Sequence, residues 1–168
     1  AGAAGTTVSV LGNGITLGAD NSAFAGVWNI AGSANVVTPD NLGAGSVALG
    51  GVLNVNAQAG NYTFNNALSG SGTMNVTMAT ANDVFSFGSS ANNEFAGTLV
   101  LNNSQFALSG INTKVLTNDT LQLNAGNVTM VGNGTQNIGN LNLNGGSLEW
   151  DGFTTPEENP NGMVSTNG

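Results

Sequence analysis

Cysteine and histidine are absent from the 168 residues, and Lys114 is the only basic side chain. Without cysteine there is no disulfide and no thiolate metal site. Without histidine, the usual base of a nucleophilic triad and a leading zinc ligand are both missing. One cation against nine carboxylates gives a formal charge of −8. Nucleic acid and anionic membrane surfaces each call for several Lys or Arg, so both are poor partners. Charged residues are 6% of the chain, against roughly 25% in ordinary soluble domains. No apolar run approaches the roughly 20 residues of a membrane span. The first residues, AGAAGTTVSV, lack Met and do not form a signal peptide. We read the chain as a piece of a longer protein.

What is present does the solvating without charge. Asn is about a sixth of the chain, joined by Ser, Thr and 26 Gly, while 40% of residues are hydrophobic. That apolar share argues against a disordered chain. Four-residue frames with apolar second and fourth positions recur: TVSV at 7–10, VWNI at 27–30, VLNV at 52–55, TMNV at 73–76, TLVL at 98–101, TLQL at 120–123 and NLNL at 140–143. Their near-constant spacing marks a repeat. Each frame is followed by a second short strand-like piece, such as YTF at 62–64, VFSF at 84–87 or SLEW at 147–150. GNG, GSG, NNS and NGG supply the turns between them. No 3.6-residue apolar period persists, so helix is excluded.

Short strands at fixed spacing predict an all-β solenoid: a parallel β-helix of about seven turns, 20–25 residues each, with three short strands per turn. Antiparallel hairpins in a sandwich or barrel would need longer strands and no fixed period. Alternation points Val8, Val10, Trp28, Ile30, Leu53, Val55, Met74, Val76, Leu99, Leu101, Leu121, Leu123, Leu141 and Leu143 inward. It points Ser9, Asn29, Asn54, Asn75, Val100, Gln122 and Asn142 outward. Stacked amides can hydrogen-bond from turn to turn, which makes Asn29, Asn54, Asn75, Gln122 and Asn142 the candidate ladder or binding face. Phe24 and Phe95, each followed by Ala-Gly, are expected to fill a corner. Residues 1–150 form the predicted coil. Residues 151–168, with Pro156, Pro160 and the pair Glu157–Glu158, are expected to be an irregular loop or tail.

The phrases NEFAGTLVL, LSGSGTMNV and LGAGSVALGGVLNV resemble the passenger repeats of Gram-negative autotransporters, especially the AIDA-type adhesins. The resemblance covers residues 7–150. It implies a right-handed coil, secretion through the outer membrane, and display on the bacterial cell surface by a C-terminal outer-membrane barrel that this chain does not contain. It also implies a non-enzymatic adhesin, acting in self-association and biofilm or in attachment to a host glycan or matrix protein. A second reading is a structural spacer that carries another functional domain.

A third reading is a polysaccharide-cleaving β-helix enzyme, which would need clustered carboxylates. Asp20, Asp40, Asp83, Glu94, Asp119 and Glu149 fall at different phases of the repeat and read as surface charges. No catalytic, cofactor-binding or metal-binding residue is predicted. Calcium-binding nonapeptides, EF-hand loops, GxGxxG and Walker sequences are not found. Trp28 reads as core because it occupies an inward position; Trp150, at the end of the last strand, reads as core with an exposed edge as the alternative.

Overall fold

The computed structural model describes residues 4–88, 94–107, 118–124, 127–131, 135–144, 147–151 and 163–166. Among them the chain is all-β apart from one 3-10 turn at Pro39–Asn41. It winds as a parallel β-solenoid of about five turns.

The strands gather into walls. The first wall holds β1 (Thr7–Val10), β3 (Val27–Ile30), β5 (Ser46–Leu49), β8 (Leu68–Gly70) and β11 (Glu94–Phe95). The second holds β2 (Ile15–Thr16), β4 (Ser33–Val36), β6 (Val52–Asn56), β9 (Thr73–Thr77), β12 (Thr98–Asn103), β14 (Thr120–Leu123) and β17 (Asn140–Leu143). The third holds β7 (Tyr62–Phe64), β10 (Val84–Phe87), β13 (Gln105–Ala107), β15 (Asn127–Val131) and β18 (Ser147–Asp151). A further pair joins β16 (Thr135–Ile138) to β19 (Met163–Thr166). Each strand in a wall pairs in parallel with its equivalent a turn away: Ser33 with Val52, at a separation of 19 residues, and Thr73 with Thr98, at 25.

The frames at 52–55, 73–76, 98–101, 120–123 and 140–143 stack in register as expected. Those at 7–10 and 27–30 stack on each other but belong to the first wall. VWNI continues into SVAL at 46–49, with Val27 opposite Ser46. The expected step from VWNI to VLNV therefore crosses from one wall to another. The physical reason is that every wall turns alternate apolar side chains inward, so the alternation does not label the wall.

The core is a set of columns. Leu53, Met74, Leu99 and Leu121 share one register position and are fully buried; Val55, Val76, Leu101 and Leu123 form the next column. Burial of each large side chain stabilises the coil by about 1.5–3 kcal/mol. On the third wall Tyr62, Phe85 and Phe106 stack with ring centroids 6.1 and 6.0 Å apart, and Phe64 meets Phe87 edge-on at 5.9 Å. Trp150 lies at the register position of Met130, which pairs with Phe106.

Val8 and Leu143 share the register of the inward residues Trp28 and Leu123 but are 36% and 54% exposed, each on a strand with a described stacking neighbour on one side only. Val100 keeps the outward register of Asn75 and Gln122 and is nevertheless buried. In the segment expected to be irregular, Met163–Thr166 forms β19 and Asp151 ends β18; residues 152–162 lie outside the described residues.

The corners depend on glycine. At the entry to the second wall, Gly12, Gly32, Gly51, Gly72 and Gly97 stand one above another. The carbonyl of each of the first four accepts the N–H of the residue that follows the next glycine, as Val52 donates to Gly32 at 2.8 Å and Thr73 to Gly51 at 2.8 Å. A Cβ on Gly32, Gly51, Gly72 or Gly97 would overlap the carbonyl oxygen of the glycine in the preceding turn. Only a bare α-carbon permits backbones to approach this closely. The two Phe-Ala-Gly motifs serve different corners. Phe95–Gly97 leads into the second wall, whereas Phe24–Gly26 leads into the first, where Phe24 packs against Trp28 at 4.6 Å.

Candidate functional site

The outward third positions of the second wall form a row with Asn35, Asn54 and Asn75 in register. Asn54 donates its amide N–H to Asn35 Oδ1 at 2.9 Å, and Asn75 donates to Asn54 Oδ1 at 2.9 Å. Parallel stacking places identical amides one strand apart, close enough for donor to meet acceptor. The next position is Val100, which has no group to continue the series. Hydrogen bonding detours around it. Gln122 donates to Asn124 Oδ1 at 2.7 Å, and Asn124 donates to Asn102 Oδ1 at 3.0 Å. Asn102 in turn reaches the Val76 carbonyl at 3.3 Å and Thr77 Oγ1 at 3.4 Å. Asn142 donates to Gln122 Oε1 at 3.5 Å.

Of the five residues predicted for this row, Asn54, Asn75, Gln122 and Asn142 lie on the second wall. Asn29 does not: it stands on the first wall between Ser9 and Ala48, with no amide in register on either side. Its place is taken by Asn35, which is not among the predicted residues although Ala34 and Val36 give SANV the same alternation. The signal was nevertheless there, since Asn35, Asn54 and Asn75 are separated by one turn each. Asn102 and Asn124, at strand ends, were also missed.

The composition of this wall is unusual in one respect. None of its seven strands carries a charged residue, although the chain holds nine carboxylates. Thr73, Thr98 and Thr120 stand in register beside the amide row. The strands of this wall thus offer amides and hydroxyls without a fixed charge.

Elsewhere, a cavity of about 320 Å³ opens at the first turn, lined among others by Val8, Phe24, Trp28, Asp20 and Asn21. Trp28 is buried and its indole N–H donates to the Leu42 carbonyl at 2.9 Å, which fits a core residue. Asp20 accepts the Ser22 N–H at 2.8 Å, and this bond holds its carboxyl below the usual value. Among the described residues, no group of three or more His, Cys, Asp or Glu side chains could hold a metal ion.

Asp119 departs from expectation. Read as a surface charge, it is instead 1% exposed, with both carboxylate oxygens lacking a hydrogen-bond partner. Burial pushes its carboxyl up to about 7.

Two proteins of Escherichia coli (strain K12) are similar in sequence. An uncharacterized lipoprotein, YdeK, is 39% identical over 109 residues, covering 63% of this chain and 8% of YdeK. An uncharacterized protein, YuaQ, is 35% identical over 138 residues, covering 80% of this chain and 10% of YuaQ. The chain therefore spans about a tenth or less of the length of these relatives. No family model matches it. No solved structure matches it either.

Proposed function

We propose that the chain is a stretch of a surface-displayed adhesin of the autotransporter-passenger kind, non-enzymatic, which binds through the polar face of its second wall. In this reading the coil is right-handed, with seven turns of three strands. It is secreted through the outer membrane and held at the cell surface by a barrel elsewhere in the parent protein. The observation that carries the proposal is the uncharged second wall with its amide row. Two such faces can approach without like-charge repulsion, and amides and hydroxyls suit hydrogen bonding to another copy, a host glycan or a matrix protein. The lipoprotein name of one relative supports a cell-envelope location.

Cells displaying the parent protein test this. Asn75→Lys on the second wall is expected to abolish clumping or host attachment, while Asn29→Lys on the first wall leaves it intact. Equal behaviour of the two variants would sink the choice of face.

One observation favours the spacer as a second reading: the amides of Asn35, Asn54 and Asn75 bond to one another, so part of their capacity is already used. A spacer would tolerate both substitutions without loss of the parent's activity.

A further inference from the structure

Asp119 occupies a place that the fold otherwise gives to glycine. Thr98 pairs with Thr120, so the residue before each, Gly97 and Asp119, are equivalents in successive turns. The backbone hydrogen bonds repeat the pattern of the glycine column. Thr120 N–H donates to the Gly97 carbonyl at 2.9 Å, and Asn140 N–H donates to the Asp119 carbonyl at 2.9 Å. The residue at this position one turn later, before Asn140, is Gly139. A carboxyl-bearing side chain is thus inserted into the glycine corner of the coil, 1% exposed and with neither oxygen hydrogen-bonded to another residue.

Among the described residues no cation lies beside it. The strands stacked at this corner, β11, β12, β14 and β17, contain one titratable residue, Glu94, which is exposed on β11. A buried charge without partner or hydrogen bond is strongly disfavoured, so the group takes up a proton or the corner opens to water.

We propose that Asp119 is a proton-operated latch between β12 and β14: protonated, it lets the later turns stack on the earlier coil, and ionised, it loosens them. The direction follows from linkage. The unfolded carboxyl titrates near 3.8 and the folded one near 7, so the folded state holds the proton more tightly. Stability from this group is full below about pH 4, falls as pH rises between about 4 and 7, and levels off above that. One proton is involved, which makes the opening equilibrium rise roughly tenfold per pH unit in that window.

Hydrogen exchange on the whole 168-residue chain, corrected for intrinsic pH dependence, tests the proposal. Amides of β14 and β17 are expected to lose about tenfold protection per pH unit between pH 5 and 7, while those of β4 and β6 stay level. Asp119→Asn, neutral and of the same shape, is expected to flatten the profile. Asp119→Gly, which restores the column, is expected to do the same and covers the case in which the amide does not fold. A wild-type profile that is flat in β14 and β17, or one that persists unchanged in a folded variant, would overturn the latch. A carboxyl carbon signal of Asp119 titrating near 4 would overturn it independently. None of these outcomes depends on the adhesin reading.

Discussion

Gly50 and Gly51 are neighbours in the chain and opposites in tolerance. A Cβ on Gly50 would lie 3.9 Å from the Ile30 carbonyl oxygen, an ordinary contact, whereas one on Gly51 would overlap the Gly32 carbonyl. Gly51→Ala is expected to lower the unfolding free energy by about 1–3 kcal/mol, through forced displacement of a packed backbone. Gly50→Ala should change it by no more than about 0.5 kcal/mol. Urea denaturation of the pair gives the comparison directly. The amide row permits a similar contrast. Asn54 both donates and accepts, so Asn54→Ala removes two hydrogen bonds, at a cost of about 1–2 kcal/mol. Asn29→Ala removes no ladder bond and should fall within about 0.5 kcal/mol. Equal losses at the two positions would show that the row contributes nothing by its stacking.

Among the elements, the third wall concentrates the aromatic packing. Phe85 lies between Tyr62 and Phe106 and also meets Phe87 edge-on at 5.3 Å. Phe85→Ala opens this column and is expected to cost about 3–5 kcal/mol, again by denaturation. Tyr62 offers a spectroscopic probe because it is the chain's single tyrosine. It is 1% exposed, and its hydroxyl donates to the Thr38 carbonyl at 3.3 Å. Burial, assisted by the negative charge of Asp40, raises its phenol above the ordinary range. The folded state therefore holds the phenol proton more tightly, and stability is lost as pH rises past the usual value near 10. Phenolate absorbance should accordingly appear together with the loss of circular dichroism. Ionisation at the ordinary pH in a still-folded chain would contradict the burial.

At the scale of the molecule, each turn touches mainly the turns before and after it. Stability in such a coil is close to a sum of turn and interface contributions, so a lesion acts locally before it acts globally. Phe85→Ala is therefore expected to raise hydrogen exchange in β7, β10 and β13 well before β3 and β5 respond. Uniform loss along the coil would indicate a single cooperative unit instead. The charge distribution belongs to this scale too. Nine carboxylates give the chain its charge, yet the strands of the second wall carry none, so the net charge touches that face least.

The inward columns were legible because apolar alternation and turn spacing are local properties that the chain carries wherever it folds. Leu53, Met74, Leu99 and Leu121 are read correctly from their frames, and Asn54 and Asn75 share a register position one turn apart. Other features depend on neighbours a full turn away. Which wall a frame joins follows from parallel pairing, and this moved Asn29 off the row and put Asn35 on it. Val100 is buried by its surroundings despite its outward phase, and Val8 and Leu143 are exposed on strands with a described stacking neighbour on one side only. Asp119 looks like any surface acid until the register sets it above Gly97. By itself the sequence determined that the chain would coil and that alternate apolar side chains would turn inward, because hydrophobic burial follows a period of two along each strand. Only the tertiary structure decided which amides meet and which carboxyl is sealed in, because those contacts join residues some twenty positions apart whose relation no local pattern records.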